Sequence, residues 1–298
     1  MTESFSDGNS AMETAEASFL FCLCADDFAL SPGVNRGILE ALGAGRLSAT
    51  SVMTTRPSWP KGARELRPFR AKADIGLHLN LTLGRPLGFM PAFAASGRLP
   101  GIRQLVMAAR TKGLPGVEIA QEISRQLDSF CEHFGSTPAF VDGHQHVQIL
   151  PQIRSLLFAC LEQRGLSGKV WLRTCDDRPS RILWRGIEVI KALGIAWLAR
   201  NFAKEAAARG FATNDGFAGF SAFDPGRDYS ADFDHYLRAP GRRHLIMCHP
   251  GYCDEDLVAS DPVTLSRERE LSFLLSPDFI ERLRRRGARL ARLSDALL

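Results

Sequence analysis

Short apolar runs alternate with amphipathic stretches along almost the whole chain. That alternation is what most restricts its fold. Strand candidates are 18–25, 48–53, 73–79, 139–142, 169–173, 211–214, 244–248 and 288–291. Helical stretches separate them. Ser31-Pro32 predicts an N-cap with proline at the first helical position, and a helix through Val34, Ile38 and Leu39 to Gly43 or Gly45. From Gly116 to His133, residues Ile119, Ile123, Leu127 and Phe130 follow a period near 3.6. Pro151 opens a helix ending near Gly165, and residues 181–209 hold two more around Gly194. Ser276-Pro277 starts a last helix that ends at Gly287. Strand-helix alternation of this kind predicts a parallel sheet, most simply a distorted, TIM-barrel-like (β/α) barrel in one domain over 18–298. A doubly wound open sheet is the alternative that periodicity leaves open.

Composition narrows the class. A length of 298 residues fits one α/β barrel, and 45% hydrophobic residues supply a full core. The net charge of +4 is too small to argue for nucleic acid. No apolar run approaches a membrane span. The first 17 residues are rich in Ser, Glu, Thr and Asp and lack a basic start followed by an apolar stretch, so they read as a disordered leader (1–17), not a signal peptide. Seven scattered cysteines form no Cys-x-x-Cys pair, which argues against a zinc ribbon or thioredoxin-like site; a reducing cytoplasm is the default setting. Cys22 and Cys24 read as small buried residues. A homodimer is one option, with no interface stripe to mark it.

Ligand-type residues recur at the ends of the strand candidates, where barrels of this kind build their sites. Asp26 and Asp27 follow the first run, His78 and Asn80 end the third, and Asp142, His144 and His146 follow the fourth. Arg173, Asn214 with Asp215, and His249 follow later ones. Two adjacent carboxylates are costly unless a cation sits beside them; one can then bind a metal while the other stays free as a base. In an extended segment His144 and His146 would point the same way, giving two ligands, or one ligand and one substrate contact. Asp142 could orient an imidazole, and His249 suits general acid work. The same residues have plainer readings as caps, turns and core histidines. His133, His235 and His244 read as surface residues, Cys175-Asp176-Asp177 as helix capping, and Cys253-Asp254-Glu255-Asp256 as a solvated turn. The basic run Arg282–Arg292 reads as the wet face of the last helix, with anionic lipid as a weaker second reading. The Gly- and Pro-rich segment 82–115 reads as a functional insertion, with Phe89, Met90 and Phe93 placed to cover a cavity. No Gly-x-Ser-x-Gly elbow, P-loop or His-Glu-x-x-His motif is present.

The stretches Ala25-Asp26-Asp27-Phe28-Ala29-Leu30-Ser31, Gly76-Leu77-His78-Leu79, Thr82-Leu83-Gly84-Arg85-Pro86-Leu87, Asp142-Gly143-His144-Gln145-His146-Val147 and Met247-Cys248-His249-Pro250 resemble, in order and spacing, the YdjC-like carbohydrate deacetylases. That family includes chitooligosaccharide and hopanoid-biosynthesis deacetylases. The resemblance spans about residues 18 to 294. It implies a distorted β/α barrel and one divalent metal held by Asp27, His78 and His144, with Asp26 as general base. Magnesium or zinc is expected, with cobalt, nickel and manganese also suited to two imidazoles and a carboxylate. Two positions depart from the family's pattern: Ala29 stands where glycine is usual, and Gly143 where serine is common. The expected reaction is hydrolysis of an N-acetyl group from an amino sugar, oligomeric or lipid-linked. His249 is preferred over His146 as the acid, and His146, Asp142, Asn80 and Arg173 are expected to bind substrate or support the site. Rival functions are another metal-dependent hydrolysis, of a phosphoester or cyclic amide, and a non-catalytic sugar-binding module that keeps a metal.

Overall fold

The computed structural model describes residues 19–111 and 113–297. The leader expected over 1–17 lies outside the described residues. Eight strands are β1 (Phe19–Phe28), β2 (Ala49–Val52), β3 (Asp74–Leu79), β4 (Phe140–Gly143), β5 (Trp171–Leu172), β6 (Phe217–Ala218), β7 (His244–Cys248) and β8 (Ala288–Leu290). They pair in parallel in the order β5-β4-β3-β2-β1-β7-β6, with β8 alongside the start of β1. A parallel bridge between Leu172 and Thr213 links β5 to the segment that leads into β6. The sheet therefore curls back on itself as a distorted α/β barrel in one domain.

Parallel strands covered by helices need apolar residues on both faces. Every residue of β2, β3, β4 and β7 is buried, as is β1 from Phe21 onward. Close packing between β3 and β4 depends on Gly76: a Cβ there would lie 2.5 Å from the ring of Phe140, which stacks on Trp171 at 4.2 Å.

The helix signals are matched closely at three places. The first helix runs Pro32–Gly43, and the Ser31 side chain accepts from the Val34 N–H. Helices Gly116–Phe134 and Pro277–Arg286 end at Gly135 and Gly287, both in the left-handed conformation. Two expectations need correction. Residues 181–209 belong to three helices, Pro179–Arg185, Val189–Ala199 and Phe202–Ala207. The breaks come at Gly186 and Asn201, which have positive φ, while Gly194 lies inside a helix. The strand expected over 211–214 contributes only the Thr213 bridge; the paired strand is Phe217–Ala218, after Gly216 turns the chain at φ 99°. The segment 82–115 also carries a helix of its own, Ile102–Thr111.

Candidate active site

The first strand does something unusual at its end. Its register against β2 shifts between Ala25 and Phe28, and Asp27 sits at φ 68°. A bulge of this kind re-aims side chains. It lets the neighbouring carboxylates of Asp26 and Asp27, which would point oppositely in a regular strand, reach one cavity. That cavity, of 320 Å³, is lined by both aspartates, His78, His144, His146 and His249 among others. These residues come from the C-terminal ends of β1, β3, β4 and β7.

Asp27, His78 and His144 form one cluster. Asp27 Oδ1 lies 3.0 Å from His144 Nδ1 and 3.3 Å from His78 Nε2. One donor atom from each of the three lies within 4.8 Å of the others, and all three residues are buried. This spacing and this donor set, two imidazoles and a carboxylate, fit a divalent cation. On its far side, His78 Nδ1 meets Asp142 Oδ1 at 2.6 Å and the Ser51 hydroxyl at 3.0 Å. A carboxylate behind an imidazole fixes its orientation and raises its basicity. Burial opposes charge on His78, but Asp142 and Asp27 outweigh it and push its pKa up to about 10. Burial likewise opposes charge on Asp27, yet Arg267, with Nη2 at 2.7 Å from Oδ2, and His144 hold it well below the usual carboxylate range.

Asp26 is gripped elsewhere. Arg173, fully buried, donates two hydrogen bonds of 2.7 Å to its two carboxylate oxygens. The Nη2 of the same guanidinium lies 2.7 Å from Asp142 Oδ2. Burial raises the pKa of Asp26, but Arg173 outweighs it and lowers the value to about 2. Cys24, Asp26 and Asp142 are also spaced like metal ligands. The guanidinium already supplies the cation there.

His249 Nε2 stands 3.9 Å from Asp26 Oδ2, with its ring edge-on to Phe223. Its backbone N–H donates to Glu270 at 2.6 Å. Burial lowers His249 to about 4 and raises Glu270 to about 7. His146 also lines the cavity, but its Nδ1 faces Cys175 Sγ at 3.4 Å, and its ring lies edge-on to Phe217 and Phe220. Burial and then Arg173 lower it to about 3. The expected extended geometry of His144-Gln145-His146 is not found. Gln145 and His146 have φ 53° and 61° in a 3-10 turn, so the two imidazoles part company, one toward Asp27 and one toward Cys175.

Several other residues lie away from the cavity or in different roles. Asn80 bonds to Thr55 Oγ1 and to the Leu83 carbonyl, and so organises the loop after β3. From the segment 82–115 it is Ile102 that reaches the cavity; Phe89 is 87% exposed, while Met90 is buried and Phe93 packs on the core. His244 is fully buried in β7, with Nε2 at 2.9 Å from the Tyr236 carbonyl oxygen, not on the surface. Asp177 is a buried partner of Arg185 and Arg181, not a helix cap. Asp254 caps a helix by accepting from Leu257 N–H. Cys22 and Cys24 are buried, and burial raises both thiols, Cys22 to about 12. Arg267 and Glu270, both on the helix Leu265–Leu275, were not visible as site residues in the sequence. No motif surrounds them, and only the fold brings them to the first strand and to His249.

The parallel α/β barrel thus presents a buried Asp-His-His cluster that could hold a metal ion, beside a second carboxylate held separately by Arg173. The chain belongs to the YdjC-like protein family, whose model matches residues 20–285. It is similar to proteins named chitooligosaccharide deacetylase from Yersinia pestis (strain Pestoides F) and Yersinia pseudotuberculosis serotype O:1b (strain IP 31758). Each is 30% identical over 277 residues, 93% of this chain and 98% of theirs. A crystal structure from Enterococcus faecalis V583, named for cellobiose-phosphate cleavage, shares the fold at a TM-score of 0.70 and 21% identity, over 94% of this chain and 99% of that one.

Proposed function

We propose that this protein is a metal-dependent carbohydrate deacetylase that removes an N-acetyl group from an amino sugar, carried on an oligosaccharide or a lipid. The observation that carries this reading is the division of labour between neighbours: Asp27 faces two histidines, while Asp26 faces Arg173 and His249. The relatives' name supports the substrate class. Asp27, His78 and His144 would hold the divalent ion. When bound, the ion supplies Lewis acidity, which makes water a nucleophile near neutral pH and stabilises a developing oxyanion.

The chain's own residues do the proton work. Asp26, kept ionised by Arg173, accepts a proton from the attacking water. The low basicity that Arg173 imposes favours passing that proton on. His249, neutral at rest and 3.9 Å away, is the acceptor. It then delivers the proton to the amide nitrogen as the C–N bond breaks, releasing acetate and the free amine. His146 is occupied by Cys175 and two phenylalanine rings, which favours His249 as the acid.

The test is acetate release from a panel of N-acetylated sugars, free, oligomeric and lipid-linked, with several divalent ions. Release that requires both an ion and Asp26 supports the reading. Binding of the sugars without turnover under every ion would instead support a sugar-binding module.

A further inference from the structure

Two helices that wall the cavity, and a third that packs on one of them, have an unusual surface. Ile102–Thr111, Pro179–Arg185 and Val189–Ala199 contain no acidic residue. The last, with the sequence VIKALGIAWLA, has Lys191 as its one charge. A helix this apolar is normally buried all round. Here Ile190 is 89% exposed and Trp197 58%, and they lie seven residues apart, on one face. Trp184, 74% exposed, and Leu183 extend the apolar surface onto the helix that packs against it. On Ile102–Thr111, Met107 is likewise exposed. Helices Ile102–Thr111 and Val189–Ala199 wall the active-site cavity through Ile102 and Ile195. They also wall a neighbouring groove, through Val106 and Trp197.

The charges on these elements are of one sign and partly free. Arg181 and Arg185 are spent on Asp177, and Lys191 bonds to the Ser221 carbonyl. Arg103 and Arg110 on the first helix, and Arg178 and Arg200 at helix ends, make no ion pair among the described residues. The Arg200 guanidinium stacks on Trp197 at 4.1 Å. In the basic run near the C-terminus most charges are spent: Arg282, Arg284, Arg285, Arg286 and Arg292 pair with acids, while Arg289 makes no ion pair among the described residues.

We propose that these helices form a docking face for an anionic lipid bilayer, which would hold the cavity mouth at the membrane surface. Exposed tryptophan and isoleucine among unpaired arginines is the chemistry of an interfacial surface, with apolar side chains entering the acyl boundary and cations meeting the headgroups. A second copy of the chain fits less well, because self-pairing would set unpaired arginines against one another.

The experiment is sedimentation of the full chain with sucrose-loaded vesicles, either equimolar phosphatidylglycerol and phosphatidylcholine or phosphatidylcholine alone. Partitioning to the anionic vesicles should exceed that to neutral ones by about tenfold or more and weaken with salt. Tryptophan emission should shift to the blue on binding, since Trp59 and Trp171 are already buried and Trp184 and Trp197 are not. Trp184→Ser/Ile190→Ser and, separately, Arg103→Glu/Arg110→Glu should each lower partitioning severalfold while melting as the parent does. Failure to bind anionic vesicles overturns the proposal. So does binding that survives both pairs of substitutions, or a dimer in analytical ultracentrifugation that the first pair dissolves while vesicles stay unbound.

Discussion

Arg173 grips Asp26 through both carboxylate oxygens at 2.7 Å and touches Asp142 with the same guanidinium. One buried cation thus joins the proposed base to the carboxylate that orients His78. Arg173→Lys keeps the charge and loses the fork. We expect acetate release to fall by about 10- to 100-fold, with the acid limb of the pH profile moving up as Asp26 regains basicity. Arg173→Met leaves two buried carboxylates without their cation and should cost ~3–5 kcal/mol in urea denaturation.

Asp142 acts on His78 from behind, at 2.6 Å. Asp142→Asn should weaken affinity for the divalent ion by about 10- to 100-fold, the usual loss when such a partner is removed. Isothermal titration with zinc or cobalt measures this directly. Unchanged affinity would mean that His78 needs no orienting partner.

Glu270 carries a pH signature. Burial raises its pKa from 4.5 to about 7, so the fold favours the neutral carboxyl. The folded state then binds more protons than the unfolded one between those values, and stability from this group is full below 4.5 and lost as pH rises through about 7. The span corresponds to up to ~3 kcal/mol. Glu270→Gln should flatten the fall in denaturation free energy over that window and leave the slope at higher pH unchanged.

Ala29 has φ 77°, where a Cβ is unfavourable. It is pinned by an Asn35 side chain accepting from its N–H and by the Ser58 hydroxyl donating to its carbonyl. Glycine at this position would remove ~1–2 kcal/mol of strain and lose ~0.5–1 kcal/mol to added freedom of the unfolded chain. Ala29→Gly should therefore leave the melting temperature unchanged or slightly higher, where an ordinary core Ala→Gly would lower it.

The sequence made the barrel legible because its signals are local. Seven of the eight strand positions follow from apolar runs, and Ser31, Gly135 and Gly287 mark helix ends by chemistry that acts within one turn. The strand expected at 211–214 failed because Gly216 moves the pairing onward to Phe217. Strand ends mark Asp26, Asp27, His78, His144 and His146 as candidates, but the particular set Asp27, His78 and His144 is implied only by the family resemblance. The parting of His144 and His146 could not, since two successive left-handed residues leave no periodic trace. Arg267 reaches Asp27 across 240 positions, and such a pairing exists only once the chain has closed.

In the proposed site Asp27 holds the ion and Asp26 does not. Metal content by inductively coupled plasma mass spectrometry, on Asp26→Asn and Asp27→Asn purified side by side, tests it most directly. The account predicts about one ion per chain in Asp26→Asn and a large loss in Asp27→Asn. Equal occupancy in the two, or loss in Asp26→Asn alone, would contradict it.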